Sequence, residues 1–144
     1  MAFRGTFDYS LDQKKRLTVP AKFRAALSEG VVLSLGTSGC VEIWKPADFD
    51  GILSAALDGK NPLSKEARQL REYFFANSHD GELDSAGRIA MPAKLQAHAK
   101  LDKEVVVTGV GDHLQVWDRA TWADYNAGLV SEIDQIIEGL GHPA

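Results

Sequence analysis

The sequence predicts an α+β fold that consists of two pseudo-symmetric halves with flanking helices. Two observations lead to this fold class. A segment near the N-terminus recurs in the second half of the chain with many of its residues in the same order. Within each copy, short strand-like runs alternate with glycine or proline turns, whereas apolar residues at helical spacing lie between the copies and after the second one. The length of 144 residues suits one compact domain or two small halves.

One motif carries the repeat. Residues 11–23 align with residues 83–95 at an offset of 72, and six of these thirteen positions are identical. After one inserted residue, the similarity resumes at an offset of 73, where Ile43-Trp44 aligns with Val116-Trp117. Matches that keep this order indicate duplication.

Each copy predicts the same order of short elements. In the first copy, a strand precedes a polar turn, a second strand covers residues 16–19, and Pro20 suits the first turn of a helix over residues 21–27 because proline lacks an N–H. Two further strands, 31–35 and 40–44, flank a glycine turn. The corresponding elements of the second copy are residues 88–91, Pro92, 93–99, 105–108 and 113–117.

Helices are predicted between the copies and after the second one. The first two cover residues 46–57 and 63–76, with a break at residues 58–62. The last begins near Thr121, whose spacing from Asp124 resembles a capping box. We expect their apolar stripes to pack in the core or between subunits. The stripes are Phe49, Ile52, Leu53 and Leu57; Leu63, Ala67, Leu70 and Phe74; and Trp122, Tyr125, Leu129, Ile133, Ile136, Ile137 and Leu140.

These elements divide the chain into a first half (6–50), linking helices (51–77), a second half (78–122) and a C-terminal helix (123–144). One half alone has too little chain to bury a good core. We therefore expect the halves to pack on each other about a pseudo-twofold axis through interleaved strands. Four apolar residues should be buried between them: Leu17, Val19, Ile89 and Met91.

Charge is distributed unevenly along the chain, although the net charge is −4. Residues 1–24 hold six basic and two acidic side chains, whereas residues 120–144 hold four acidic ones and no lysine or arginine. A polyanion is therefore expected to meet the N-terminal part. The alternative interpretation is that these basic residues only form a solvated surface.

Three features concern the cellular compartment. The longest apolar runs, such as residues 105–107, are too short to cross a bilayer, and the first residues do not have the pattern of a signal peptide. A single cysteine, Cys40, excludes an intrachain disulfide and is typical of a reducing compartment. We expect it to be a small buried residue of a strand, in a cytoplasmic protein without a membrane partner.

The repeated Asp-x-x-x-Arg turn is the candidate functional motif. The planar guanidinium of arginine fits a phosphate or the edge of guanine, and an aspartate across the turn can hold it in one orientation. Neighbouring lysines supply phosphate contacts. Alternatively, each Asp–Arg pair only clamps its own hairpin. The candidate DNA-contacting residues are Arg4, Asp12, Lys14, Lys15, Arg16, Lys22, Asp84, Arg88 and Lys94.

With these motifs, the sequence resembles the MraZ family over nearly its whole length, from Phe3-Arg4-Gly5 to the second Trp-bearing strand. The resemblance implies two AbrB-like swapped-hairpin β-barrel halves and a homo-oligomeric ring. It also implies a nucleoid-associated regulator that binds short repeats of double-stranded promoter DNA ahead of division and cell-wall genes. By this resemblance, Asp12 with Arg16 and Asp84 with Arg88 contact DNA.

One position departs from the family pattern. The family usually has glycine before the arginine of both turns, whereas this chain has Lys15 in the first and Gly87 in the second. Because glycine adopts positive φ at little cost, we expect the first turn to differ in shape. It is also more basic, so we expect it to contribute more to phosphate binding.

Three other functions remain open. An AbrB-like antitoxin-type interaction module would also bind DNA, but such antitoxins usually have one half-domain. An enzyme could use the carboxylates near the turns, but the chain lacks recognisable catalytic motifs and its histidines lack metal-ligand spacing. An assembly protein without nucleic-acid function is the third. We expect no catalysis, cofactor, metal or small-molecule substrate. The carboxylates are Asp8, Asp12, Asp80 and Asp84, and the histidines are His79, His98, His113 and His142.

Overall fold

The computed structural model describes residues 2–141 and has the predicted α+β composition. His142 and the last residues of the predicted C-terminal segment lie outside this range. The strands and helices follow one another in the order that the duplication predicts. Their bounds are β1 Phe3–Ser10, β2 Arg16–Thr18, β3 Val31–Leu35, β4 Val41–Trp44, α1 Pro46–Leu57, α2 Lys65–Ala76, β5 His79–Gly81, β6 Arg88–Ala90, α3 Ala93–Ala99, β7 Glu104–Gly111, β8 His113–Asp118 and α4 Arg119–Gly141.

Strands from the two copies pair with each other, so neither half forms a sheet of its own. The larger sheet has the strand order β1-β7-β8-β4-β3-β5, and β2 pairs with β6 in a separate two-stranded ribbon. β1 of the first copy pairs with β7 of the second, β5 of the second pairs with β3 of the first, and β4 pairs with β8. All of these pairings are antiparallel, and exchanging the two copies leaves the scheme of pairings unchanged, as the expected pseudo-twofold axis requires.

The cross-copy pairing also makes β7 longer than predicted. Each residue of β1 pairs with one of β7, from Phe3 opposite Gly111 to Ser10 opposite Glu104. The turn predicted between the strands at residues 105–108 and 113–117 is therefore too long: β7 continues through Gly111, and the turn to β8 is confined to Asp112. A neighbouring strand that is distant in sequence supplies the hydrogen bonds that extend this strand.

One hydrophobic cluster joins the ribbon to the larger sheet. The predicted burial of Leu17, Val19, Ile89 and Met91 is confirmed, since all four are 4% exposed or less and belong to this cluster. Because side chains alternate along a strand, the same arrangement turns the neighbours of the buried residues outwards. Cys40 is also buried, as expected, although it precedes β4 rather than lying in it.

The helix predicted over residues 21–27 is wrong in its winding. The segment forms two short 3₁₀ turns, Ala21–Phe23 and Ala25–Leu27, whereas the equivalent α3 is α-helical as predicted. So short a segment has few hydrogen bonds to enforce α-helical winding, and packing then decides between the two forms. Here Phe23 contacts two other phenylalanine rings edge-on at 5.1 and 5.6 Å, where the second copy has the smaller Leu95.

Two helices, α2 and α4, start at a different residue from the predicted one because of their capping groups, whereas α1 and α3 start at Pro46 and Ala93 as predicted. Pro20 and Pro92 lie at the cap position, just before the helical turns. In α2, Ser64 Oγ accepts from the Ala67 N–H at 3.2 Å, so the helix begins at Lys65. The predicted Thr121 cap of α4 is wrong. Asp118 Oδ2 accepts from the Thr121 N–H at 3.1 Å, and a carboxylate also suits the positive end of a helix.

The apolar stripes of the helices are only partly buried within this chain. In α1, Phe49 and Leu53 are buried, whereas Ile52 is 47% exposed. Leu63 lies outside α2 and is exposed, and α4 has no buried residue. No helix within residues 2–141 combines the length and apolar character needed to cross a membrane.

Candidate nucleic-acid interface

The two-stranded ribbon presents both arginines of the repeated motif on one face. Leu17 lies opposite Ile89 at the centre of the ribbon, and both are buried. Arg16 and Arg88 each lie one residue away from this pair, on opposite strands, so both face outwards. In this register they are diagonal neighbours, which are typically roughly 7–8 Å apart and somewhat closer at their Cβ atoms. The ribbon therefore joins two turns that are 72 residues apart into one surface.

In the first turn, one carboxylate organises both the backbone and the arginine. Asp12 Oδ1 accepts from the backbone N–H groups of Lys14 and Arg16, both at 2.9 Å. Asp12 Oδ2 accepts from Arg16 Nε at 2.7 Å. The Lys15 N–H donates to the Asp12 carbonyl oxygen at 2.9 Å and closes the turn. The expectation that aspartate orients the guanidinium across the turn is confirmed.

The second turn repeats this geometry. Asp84 Oδ1 accepts from the N–H groups of Ala86 and Arg88 at 2.9 Å, and Oδ2 accepts from Arg88 Nε at 2.7 Å. The expectation that the turns differ in shape is therefore wrong. Lys15 has φ 58° and Gly87 has φ 76°, both in the left-handed region. The hydrogen bonds of the aspartate impose this conformation on the lysine, although it costs a non-glycine residue about 1–2 kcal/mol.

The ion pairs leave much of each guanidinium free. The hydrogen bond from the Arg16 backbone N–H is the main cause that lowers the pKa of Asp12, and the Arg88 N–H does the same for Asp84. Both carboxylates are thus ionised at neutral pH. Within residues 2–141, each arginine donates from its side chain only through Nε. Its terminal amino groups remain available for a phosphate or for the O6 and N7 atoms of guanine.

The other predicted basic residues lie at different places. Lys14 and Lys15 are exposed on the first turn. Lys22 is exposed and lies over two phenylalanine rings, 4.9 and 5.1 Å from their centroids, while its counterpart Lys94 is exposed on α3. Arg4 is near the start of β1, and the first turn follows the end of that strand. Arg4 and Ser10 are six positions apart along an extended strand, roughly 20 Å, so the structure does not bring Arg4 to the first turn.

A further arginine, Arg24, lies beside the second turn and was missed as a site residue. Its Nε donates to the Val19 carbonyl oxygen at 3.0 Å. Its side chain passes over Gly87, where an added Cβ would lie 2.7 Å from Arg24 Cδ. The contact crosses from the first copy to the second. The alignment of the two copies contains one signal that could have indicated this contact. The residues equivalent to Arg24 and Gly87 are Gln96 and Lys15, so the positive charge lies at a different one of the two positions in each copy.

Two titratable groups outside the candidate surface, His113 and Cys40, have shifted pKa values. His113 stacks on Trp44 with 4.1 Å between ring centroids. Burial would lower the pKa of His113, but the carboxylates of Glu42, 3.6 Å from Nε2, and Asp112, hydrogen-bonded to Nδ1 at 2.7 Å, outweigh this effect and raise it. Burial raises the pKa of the Cys40 thiol to about 12, so it is protonated at neutral pH. Within the described part of the chain, no three His, Cys, Asp or Glu side chains are grouped to hold a metal ion.

The chain is similar to known proteins over nearly its whole length. A family model for MraZ proteins, described as antitoxin-like, matches residues 2–71 and 74–136. A protein from Nocardioides sp. named "Transcriptional regulator MraZ" is 38% identical over 99% of this chain and 98% of its own length. Proteins of the same name from Lactiplantibacillus plantarum and Mycoplasmoides gallisepticum are 36% and 34% identical, each over 96% of this chain and 97% and 96% of their own lengths. This chain therefore belongs to the MraZ family.

Proposed function

We propose that this chain is a sequence-specific DNA-binding transcriptional regulator that acts on the nucleoid in the cytoplasm. It recognises short repeats in the promoter of the division and cell-wall gene cluster. The observation that carries the proposal is the ribbon, whose outer face holds Arg16 and Arg88 in matching, carboxylate-oriented turns. The name "Transcriptional regulator" given to similar proteins supports it. The proposed binding needs no cofactor and no small-molecule substrate.

The fold detail belongs to the same proposal. The cross-copy pairings β1–β7 and β5–β3 support two AbrB-like swapped-hairpin β-barrel halves. We place these halves at residues 6–50 and 78–122, linked by helices over 51–77 and followed by the C-terminal segment 123–144. Because the halves interleave, the two turns share one rigid ribbon, which presents both arginines to the same stretch of DNA.

A ring-like homo-oligomer explains how a protein of net charge −4 holds a polyanion. One ribbon has few positive charges, so a single copy should bind weakly. A second contact within the same complex can raise the overall affinity by ~10²–10⁴ without a new kind of interaction. Helix α4 offers a surface for assembly, since four of its apolar residues are 41–84% exposed at heptad-like spacing. These residues are Val130, Ile133, Ile137 and Leu140.

Removal of residues 131–144 is expected to abolish assembly and to lower the affinity for repeat-containing DNA by ~100-fold or more. The truncated chain would keep its own DNA-contacting ribbon but lose the gain in affinity from several linked contacts. The remaining part of α4 keeps its packing, since Trp122 and Tyr125 lie 5.5 and 4.7 Å from the ring of Trp117. Sedimentation and mobility-shift titration measure both effects. The variant Ile137→Lys should reproduce them, whereas Glu138→Gln should not. Unchanged assembly of the truncated chain would disprove this role of α4.

Protection of promoter DNA from cleavage tests the proposed function directly. We expect the protein to cover repeated boxes at regular spacing. An insertion of ~5 base pairs between boxes places them on opposite faces of the duplex, so it should abolish the gain in affinity from the second box. Equal protection of unrelated DNA would contradict sequence-specific binding. An affinity that does not change with the spacing between boxes would contradict binding by regularly placed subunits of one oligomer.

An AbrB-like antitoxin-type interaction module is the second candidate function, favoured by the description of the matching family as antitoxin-like. Such a module would bind DNA as a dimer together with a protein partner. The mass of the free particle separates the two functions: a dimer supports the antitoxin-type module, whereas a larger closed assembly supports the proposed regulator.

A further inference from the structure

The two turns carry different numbers of positive charges of their own. The first turn has Lys14 and Lys15 between its aspartate and arginine, whereas the second has Ala86 and Gly87 at the equivalent positions. The backbone hydrogen bonds of the two turns are nevertheless the same. On its own residues, the second turn would therefore contact a phosphate with its arginine alone.

Arg24 brings a positive charge to the second turn from the other copy. It is partly exposed, and its Nε is anchored on the Val19 carbonyl oxygen at 3.0 Å. Its side chain borders a shallow cleft together with Asp84, Ser85 and Gly87. Among residues 2–141, no carboxylate lies within ion-pair distance of Arg24, and only its Nε donates a hydrogen bond. The terminal amino groups are therefore free to bind an anion beside the turn.

The absence of a side chain at Gly87 makes room for Arg24. A Cβ on Gly87 would lie 2.7 Å from both Cδ and Cζ of Arg24, closer than ordinary contact allows. At the equivalent place beside the first turn, the two residue types are reversed in charge. The position equivalent to Gly87 holds Lys15, and the position equivalent to Arg24 holds the smaller, uncharged Gln96. The anchoring contact is the same in both halves, because Gln96 Nε2 donates to the Met91 carbonyl oxygen at 2.7 Å.

We infer that Arg24 is the phosphate-contacting cation of the second Asp-x-x-x-Arg turn and that Gly87 accommodates it. This inference rests on the proposed DNA-binding function and adds a residue to that surface. Each turn then has an oriented arginine and at least one further cation. In the first turn the further cations are its own lysines, and in the second turn the cation is Arg24 from the other copy. Both turns can thus contact the phosphates of the DNA backbone.

The test is an exchange of the two arrangements. In Arg24→Gln, the anchoring hydrogen bond can persist as it does in Gln96, but the charge is lost. Affinity for repeat-containing and unrelated DNA should fall together by about 10-fold, and the slope of log affinity against log salt should decrease by about 1 for each subunit that contacts DNA. The double variant R24Q/G87K copies the arrangement of the first half, so it should restore the slope. Arg68→Gln, an exposed change on α2, is the charge-matched control.

Each result has one meaning for variants that thermal unfolding shows to be fully folded at the temperature of the binding assay. A reduced slope for R24Q that returns in R24Q/G87K supports the inference. Wild-type binding with an unchanged slope for R24Q overturns it and leaves the proposed function intact. A reduced slope that G87K does not restore also overturns it, since Arg24 would then act through packing rather than charge. If the wild-type protein retains no DNA at low salt, the proposed function itself fails, and this inference fails with it.

Discussion

Replacement of both Arg16 and Arg88 by alanine is expected to lower the affinity for repeat-containing DNA by ~10²–10⁴-fold. A well-placed bidentate arginine contributes ~1–3 kcal/mol of discrimination between bases, and every subunit loses two. The fold should survive, because both side chains lie on the outer face of the ribbon. The turns should also keep their shape, since Asp12 and Asp84 still accept their backbone N–H groups.

Mobility-shift titration with promoter DNA and with unrelated DNA measures this effect. The double variant R16K/R88K keeps the charges but removes the planar fork, so it should retain general DNA binding and lose the preference for the repeats. Arg68→Ala, on the exposed side of α2, is the control and should bind as the wild type does. If R16A/R88A still retards the specific DNA at wild-type concentrations, the two arginines are not the DNA contacts, and the Asp–Arg pairs only clamp their hairpins.

Replacement of Leu17 by alanine is expected to lower the free energy of unfolding by about 2–5 kcal/mol, because truncation of a fully buried leucine loses apolar contact and leaves a cavity. Leu17 is 0% exposed and lies opposite Ile89 of the other copy. The whole chain should therefore unfold in one transition, rather than the first half separately. A loss of this size is a large part of the stability of a small protein.

Denaturant unfolding followed by tryptophan fluorescence and by circular dichroism measures the effect. Trp44 and Trp117 lie in different copies, so they report on both halves. Leu63→Ala is the matched control: this leucine is 85% exposed, and its truncation should change the free energy by less than ~0.5 kcal/mol. Two separate transitions in Leu17→Ala would show that the halves are independent, contrary to the interleaved sheet.

Local signals in the sequence were sufficient for several features of the fold. The aspartate four residues before each arginine predicted the ion pair of the turn. This prediction was correct because it depends on residues within a few positions of one another, where turn geometry leaves few choices. The burial of Leu17 and Ile89 was predicted from the duplication, since one half alone has too little chain to form a core. The winding of residues 21–27 was predicted incorrectly because apolar spacing does not distinguish 3₁₀ from α-helical turns in so short a segment.

The shape of the first turn shows where local propensity misleads. Lysine disfavours positive φ, so Lys15 suggested a turn unlike that of Gly87. Three hydrogen bonds to Asp12 nevertheless hold Lys15 in the left-handed region. The intrinsic preference of lysine for negative φ, about 1–2 kcal/mol, is overcome when several hydrogen bonds stabilise the left-handed conformation.

The sequence alone determined that this protein is built twice from one motif, that Leu17, Val19, Ile89 and Met91 are buried, and that each turn pairs an aspartate with an arginine. Only the tertiary structure decided that β1 pairs with β7 and β5 with β3, that Arg16 and Arg88 share one face, and that Arg24 reaches Gly87. The reason is physical. Strand alternation and turn chemistry act over a few residues, whereas hydrogen bonds between strands form between any edges that the packing of the whole chain brings together.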